Sequence, residues 1–491
     1  MKGKIKLLSL LLALAMVASM FVACDEAAPA PGEGDGDAIV EIDWWHWGTE
    51  PTNTVDAIKA LNEKSAADIG VTVDFKFQAT ADKTQTALAT GEKGDVVFTC
   101  SWWCNYLQTA QKSQLADISE EVKKYDDLMA LVPDWAWDAV TVNGGIYAVP
   151  VMKDSAAQQF WLINKDFVQD AAGVTDAELD TMGKQLSTVT PILQKVKAYA
   201  DANGGVYNNG LTAAFNYNKA GLNGYHNGWD MVGPSSIGDN QDEEGVKIEW
   251  AYDDEEVIAN LKESAMWYAT GLVNQDCAQI DTEPSDYCVA TAQGWYGAEL
   301  SSWGQGKDYK VVIRERNKAF ANRASVIGAC NGVFANSEHL EAAVKYIAYC
   351  STNADYRNML AYGAPELDWK DNGDGTITKV DDDWSPGSFA QAATWIMKPA
   401  APAPASMYKD IEKMSKNASA SELMGFTFDI AAVENEIAAV DSAMSQYTNG
   451  LLCGTYTDVD ATLAEMRAAA EAAGLQKLID AVTEQVNAYL G

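Results

Sequence analysis

The sequence predicts an α/β protein of two lobes, each a mixed, mainly parallel sheet flanked by helices, followed by a helical C-terminal region. Three observations lead there. Strand and helix patterns alternate from residue 38, the alternation resumes after residue 323 beyond a long middle stretch, and amphipathic helical patterns fill the end of the chain. The 491 residues and 48% apolar content suit two or three well-packed domains.

Residues 1–23 carry Lys2, Lys4 and Lys6 ahead of an apolar run from Leu7 to Val22, and the small Ala23 precedes Cys24, Asp25 and Glu26. A basic flank, a short apolar stretch and a small residue at the cut mark an export signal. The run is short for a span of roughly 20 apolar residues, and acids follow it in place of a basic stop-transfer cluster. Cleavage before Cys24 and lipid on its thiol are therefore expected, with each buried methylene contributing about 0.8 kcal/mol to membrane attachment. Within 24–37, after the lipidated Cys24, Asp25–Asp37, DEAAPAPGEGDGD, has almost nothing to bury and reads as an extended tether.

From Ala38, AIVEIDWWHWG reads as a strand, PTNTVDAIKALNEKSAADIG as a helix and VTVDFKFQA as an alternating strand. A helix over Asp82–Thr90 and the buried strand GDVVFTC complete a β-α-β-α-β run, so the first lobe spans 38–152. Ligands in parallel sheets of this kind sit beyond the carboxyl ends of the strands. VTVNGGIYAVPV reads as a hairpin with a Gly-Gly turn, then a strand crossing between lobes. The second lobe spans 153–322, with helices over Leu186–Ala202 and Asp254–Gly271 and a strand over Tyr309–Arg314. Residues 323–397 return to the first lobe and hinge through a strand and two helices, capped at Asn336 or Ser337. The C-terminal region, 398–491, begins with a Pro/Ala linker or surface loop and ends in helices near Ile430–Leu452 and Asp460–Leu490, broken at Ala473-Gly474 and packed on the lobes.

Charge narrows the partners. The formal charge of −35 becomes −38 once residues 1–23 and their three lysines are gone. Such a surface repels phosphate backbones, which excludes nucleic acid and favours a neutral ligand. Beyond Cys24 seven cysteines remain, an odd count without zinc spacing, and Cys277–Cys288 is the expected disulfide in an oxidising compartment. The segment 371–381 has the shape of a calcium loop, but Lys370 holds the first ligand position and Asp381 the twelfth, so it reads as a tight turn between strands. No metal ligand set, cofactor motif, phosphate-cradling loop or nucleophile elbow stands out, and no cofactor is expected.

Sixteen tryptophans need an explanation. A flat apolar ring with one N–H at a loop tip suits a flat partner with a polar edge, and a pyranose has one C–H-rich face and a hydroxyl rim. The candidates are Trp45, His46 and Trp47 after the first strand, Trp102 and Trp103 after the third, Tyr225 and Trp229 in GYHNGW, and Trp295, Tyr296 and Trp303 in GWYGAELSSW. Glu50, Lys153 and Glu299 are the candidates for hydrogen bonding to hydroxyls. Trp250 and Trp267 read as core, and His339 as a solvated helix residue.

GDVVFTCSWW, LADISEEVKKY, NGGIYAVPVMKDSAAQQFWLINKDFV and NSEHLEAAVKYIAYC resemble segments of the extracellular solute-binding lipoproteins (family 1 type) of carbohydrate ABC transporters. Phe426-Thr427-Phe428-Asp429, Glu434, Glu436, Gly450, Ala473-Gly474-Leu475 and Glu484-Gln485 resemble the C-terminal extension of one subgroup, although Tyr362-Gly363-Ala364-Pro365-Glu366 departs from its Tyr-Gly-Ile-Glu-Gly stretch. The resemblance implies a periplasmic-binding-protein-like fold of type II and a binder in place of an enzyme. It implies a monomer that captures a carbohydrate, in the aromatic-rich case an oligosaccharide, by closing two lobes. Delivery to the permease subunits of an importer follows, at the outer face of a bacterial, Gram-positive membrane to which Cys24 is anchored. A binder of peptide or another non-sugar solute is the alternative, and an anchored glycoside hydrolase, which needs two suitably spaced carboxylates, is a third class.

Overall fold

The structure, a computed structural model, describes residues 39–52, 54–207, 213–215, 229–240, 245–280 and 286–491. Readings at Cys24, the 24–37 tether and Tyr225 lie outside the described residues. The elements that position the site are, in chain order, β1 Val40–Trp47, α1 Val55–Ile69, β2 Val71–Gln78, α2 Ala81–Thr90, β3 Val96–Thr99, β4 Ala148–Pro150, β5 Gln159–Asn164, α3 Thr190–Ala202, α4 Glu255–Thr270, β6 Val289–Gln293, β7 Val311–Glu315, β8 Cys330–Val333, α5 Leu340–Thr352, α6 Ala354–Tyr362, β9 Trp369–Asp371, β10 Ile377–Lys379, α7 Met407–Lys416, α8 Glu434–Cys453, α9 Val459–Ala473 and α10 Leu475–Leu490.

Lobe one is a five-stranded sheet in the order β2-β1-β3-β8-β4. β1 runs parallel to β2 and β3, while β8 runs antiparallel to β3 and β4. The four residues of β3 are all buried, the continuous apolar run of a strand covered on both faces. That cover corrects the reading of the first Trp cluster. Trp44 packs on Phe75 and Tyr346, and Trp45 packs on Phe334, so two helical layers give both neighbours a core to enter.

Lobe two has its own core. A sheet in the order β6-β7 flanking β5, all antiparallel, is extended by parallel bridges from Phe215 to Val273 and Val289. Trp161, Trp229, Trp250 and Trp267 are buried there with α3 and α4. Trp229 is thus a core residue 5% exposed, not a cover for the cleft.

The hairpin after residue 140 pairs Thr141 with Ile146 and Val142 with Gly145. Its turn residues are Asn143 and Gly144, both at positive φ (50° and 85°), which corrects the Gly-Gly turn to Asn-Gly. Three segments then cross between the lobes side by side. Ala157 bridges Phe320, and Phe320–Ala321 pairs in parallel with Ser419–Ala420. Arg323, buried beside this hinge, donates Nε–H to Ala139 O (2.9 Å), Nη2–H to Thr141 O (2.8 Å), and Nη1–H to Gly425 O (3.2 Å), Phe426 O and Thr427 Oγ1. One guanidinium thus ties lobe one to the Phe426-Thr427 segment that opens the C-terminal extension.

The boundary expected at 398 falls inside lobe one, because Ala403, Met407 and Ile411 join its core. The third crossing comes at 419–424, and from Leu423 onward the chain buries Val440, Met444, Leu463, Leu478, Val482 and Val486 in the core of lobe two. Gly474, at φ 112°, separates α9 from α10 as expected. No disulfide joins the described cysteines. The Cys277 thiol lies 3.6 Å from Cys453 O on α8, so its sulfur neighbour is Cys453 and not Cys288. Among the described residues no helix is long and apolar enough to cross a membrane.

Candidate functional site

The carboxyl ends of β1 and β3 place Trp47, Trp102 and Trp103 together. Trp47 lies 5.9 Å from Trp102, 6.4 Å from Trp103 and 4.8 Å from Phe389, centroid to centroid. Trp102 is held by its indole N–H, which donates to Gly328 O at 2.8 Å, yet 52% of the residue is exposed. A ring fixed at its edge and open over its face is the geometry for stacking.

Phe389 comes from the loop 387–394, whose shape is imposed by two buried side chains. Arg357 donates to Ala393 O (3.0 Å), Gln391 Oε1 (2.9 Å), Ser388 O (2.7 Å) and Ala392 O (3.2 Å). Asn331 on β8 donates to Ala390 O and Gln391 O and accepts the Trp44 indole N–H. Gly387 sits at φ +72°, and a Cβ there would lie 2.9 Å from the Trp47 ring, so only glycine lets the loop close on that indole.

Lobe two brings Trp295, stacked on Trp303 at 6.4 Å and 30°. Trp303 lies against the backbone of Gly294, where a Cβ would stand 2.4 Å from the ring, and Phe160 supports both Trp303 and the half-exposed Tyr296. A cavity of about 400 Å³ has Phe389 of the first aromatic group on one side and Trp295 on the other. Trp295, Ser301 and Ser302 line it from lobe two; Tyr362, Ser388, Phe389, Thr394 and Tyr408 line it from lobe one; Lys153 and Asp154 line it from the first crossing.

Electrostatically this cavity is neutral in a strongly acidic chain. Lys153 Nζ and Asp154 Oδ1 pair at 2.8 Å, and Gln293 of β6 donates to Asp154 Oδ2 at 3.3 Å. The phenol of Tyr362 donates to Lys398 O at 2.8 Å and shares a hydrogen bond with Tyr408, and burial pushes both phenols above their ordinary range. Aromatic faces, six hydroxyls and a self-compensated ion pair can hold an uncharged ligand rich in hydroxyls and C–H surface.

The thirteen sequence candidates divide. Lys153 and Trp295 line the cavity; Trp47, Trp102 and Trp103 cluster beside Phe389 without lining it, and Tyr296 and Trp303 stand beside or behind Trp295. Trp45 is core, 5% exposed, with the Lys83 ammonium over its ring. His46 is also core, ringed by Trp44, Phe75 and Phe77, with Nδ1–H donating to Trp47 O at 2.6 Å. Burial pulls its imidazole down to about 4, so it is neutral and turned away from ligand. Glu50 is exposed beyond β1, and Glu299 turns back to accept the Gly297 N–H at 2.9 Å; neither lines this cavity. Tyr225 lies outside the described residues. Sequence reasoning missed Asp154, Phe389, Ser388, Tyr408, Ser301 and Ser302. The Pro386-Gly387-Ser388-Phe389 stretch between Trp384 and Trp395 carried a usable signal, an aromatic on a glycine turn between two tryptophans.

The hairpin β9–β10 matches the tight turn read at 371–381. Its carboxylates serve the turn itself, with Asp371 accepting from Gly373 N and Asp374 from Thr376 N.

Comparison with known proteins agrees with this architecture. A family model described as a domain of unknown function, DUF3502, matches residues 422–491. Over 479 residues the chain is 24% identical to a carbohydrate ABC transporter substrate-binding protein of Streptococcus pneumoniae serotype 4, covering 91% of each. Among solved structures, the N-glycan transport solute binding protein (NgtS) of Streptococcus pneumoniae superposes with a TM-score of 0.81 at 20% identity, covering 92% of this chain and 99% of that one. The same protein in complex with Man5GlcNAc gives a TM-score of 0.69 at 20% identity, covering 92% and 98%. The chain has the two-lobed fold of these solute-binding proteins.

Proposed function

We propose that the chain is a solute-binding protein of an ABC importer, anchored by lipid on Cys24 at the extracellular face of the membrane, that captures a neutral oligosaccharide and hands it to the permease subunits. The observation that carries this is the interlobe cavity, with aromatic side chains from both lobes around an internally neutralised Lys153–Asp154 pair. A ligand that touches Trp295 on one side and Phe389 on the other favours the closed disposition by the difference in contact between states. Three backbone crossings laced at Ala157, Phe320 and Ser419 are a hinge suited to that motion.

The printed names of the relatives support a carbohydrate ligand and an ABC transporter as partner. On this reading the protein is a monomeric binder, and the one carboxylate among the described residues lining the aromatic cavity, Asp154, is paired with Lys153. The test is a thermal-shift and fluorescence panel of neutral oligosaccharides, monosaccharides and peptides, with product analysis after long incubation. At 100 times Kd the ligand stabilises by about 2.7 kcal/mol. Saturation by one oligosaccharide class without product supports the reading; a response to peptides alone, or release of reducing sugar, overturns it.

A further inference from the structure

A second, larger cavity of about 720 Å³ adjoins the aromatic one. Ser301 and Ala400 line both, so the two share a wall. Its sides again come from opposite lobes: the loop after Glu299 and strand β7 from lobe two, and the end of β10 from lobe one. We propose that this second chamber continues the ligand site and receives the distal residues of a neutral oligosaccharide whose proximal residues stack in the aromatic chamber. The inference rests on the carbohydrate-binding reading and extends it to ligand length and to the lobe-one hairpin as a contact element.

Charge comes first in the argument. The chain carries 35 more acidic than basic residues, yet this wall sets Lys165, Lys310 and Lys379 against Glu299, Asp381 and Asp382. Equal numbers leave the wall without net charge to favour an anion or a cation, as in the aromatic chamber. Apolar surface comes second. Leu300 and Val380, 49% and 53% exposed, face the chamber from opposite lobes, where two large aliphatic side chains would otherwise meet only water. Aliphatic contact flanked by uncharged-in-sum polar groups suits a sugar's C–H face and hydroxyl rim better than it suits a peptide terminus. Size comes third. Ligand sites commonly fall in the range of roughly 300–1,000 Å³. The aromatic chamber lies near the bottom of that range and the second a little above its middle, so a small sugar fills the first and leaves the second to water. This also gives Glu299 a place, since its wall is the second chamber and not the first.

Size-graded linear manno-, malto- and cello-oligosaccharides, together with high-mannose glycans, are titrated against the full chain and against Val380→Trp. Val380 is exposed at the end of a hairpin, so the larger ring is tolerated by the fold. In the series that binds, wild-type affinity rises with length past the shortest binding member. Val380→Trp lowers the affinity of the long members at least about tenfold, and Leu300→Ala from the opposite wall lowers it in the same members. Affinity independent of length, or long-member affinity unmoved by Val380→Trp, overturns the second chamber and leaves the carbohydrate reading intact. No binding by any member overturns both.

Discussion

Arg357 is the residue on which the lobe-one wall of the cleft depends, and its removal has a calculable cost. In Arg357→Met the carbonyls of Ala392 and Ala393 and the amide oxygen of Gln391 lose their donor, while Ser388 O keeps the Gln391 N–H at 3.3 Å. Each buried acceptor left without a partner costs roughly 1–3 kcal/mol. Against this stands relief from burying a cation. Burial draws the guanidinium from 12.5 down to about 10, which puts the cost of holding that charge at about 3 kcal/mol. The orphaned acceptors win, with a net loss of about 3 kcal/mol, in the range for breaking a buried charged network. Urea denaturation at pH 7 measures it. Sugar titration of the folded variant reads the second effect: loop 387–394 no longer holds Phe389 against Trp47, and affinity falls at least about tenfold. Arg357→Lys keeps the charge with fewer donors and restores part of both. A variant within about 1 kcal/mol of wild type, with undiminished affinity, refutes the assignment.

Further predictions separate core from cleft. Trp45→Ala destabilises by about 3–5 kcal/mol, the cost of emptying a buried aromatic site, and leaves the affinity of the folded fraction near wild type. Trp47→Ala, which removes the ring packed against Phe389, lowers affinity roughly tenfold with a smaller loss of stability; paired denaturation and titration curves show which cost falls where. Two buried groups give opposite pH slopes. Burial raises the Asp230 carboxyl to about 6, against its ordinary 3.8, so the folded state binds more protons in between and stability falls by up to about 3 kcal/mol as pH rises from 4 to 6. His46, lowered from 6.5 to about 4, does the reverse: its contribution, also about 3 kcal/mol, is full above 6.5 and lost as pH falls to 4. Asp230→Asn therefore gains more stability at pH 7 than at pH 4.5, and thermal melts at the two pH values check the sign.

The β-α-β run of lobe one was legible because apolar periodicity changes cleanly between residues 40 and 99. The hairpin and the Ala473-Gly474 break were legible because glycine permits backbone shapes that other residues resist, although the turn pair proved to be Asn143-Gly144 and not Gly-Gly. Sorting the tryptophans was harder. Alternation along β1 says that Trp44 and Trp45 face opposite ways, but only the helices over both faces say that both are core, and the same burial claims His46. Trp47 differs from Trp45 by two positions and by the end of the strand. Phe389, Asp154 and Tyr408 are distant in sequence from the Trp clusters and join them only through the fold; Arg357 and Asn331, which shape the loop, look like ordinary helix and strand polar residues. The boundary at 398 was misplaced because a Pro/Ala stretch reads as a linker, whereas Met407 and Ile411 on the helix that follows it are the apolar face that belongs to lobe one.

The central claim is that ligand stacks between the aromatic side chains of the two lobes. Calorimetric titration of the oligosaccharide found by panel screening, against wild type and the double variant Trp102→Ala/Phe389→Ala, tests it most directly. Saturable one-to-one binding to wild type, weakened about a hundredfold in the folded double variant, is the predicted result, corresponding to roughly 1.4 kcal/mol for each ring. Equal affinity in the two proteins would contradict the account and move the ligand site away from this cleft.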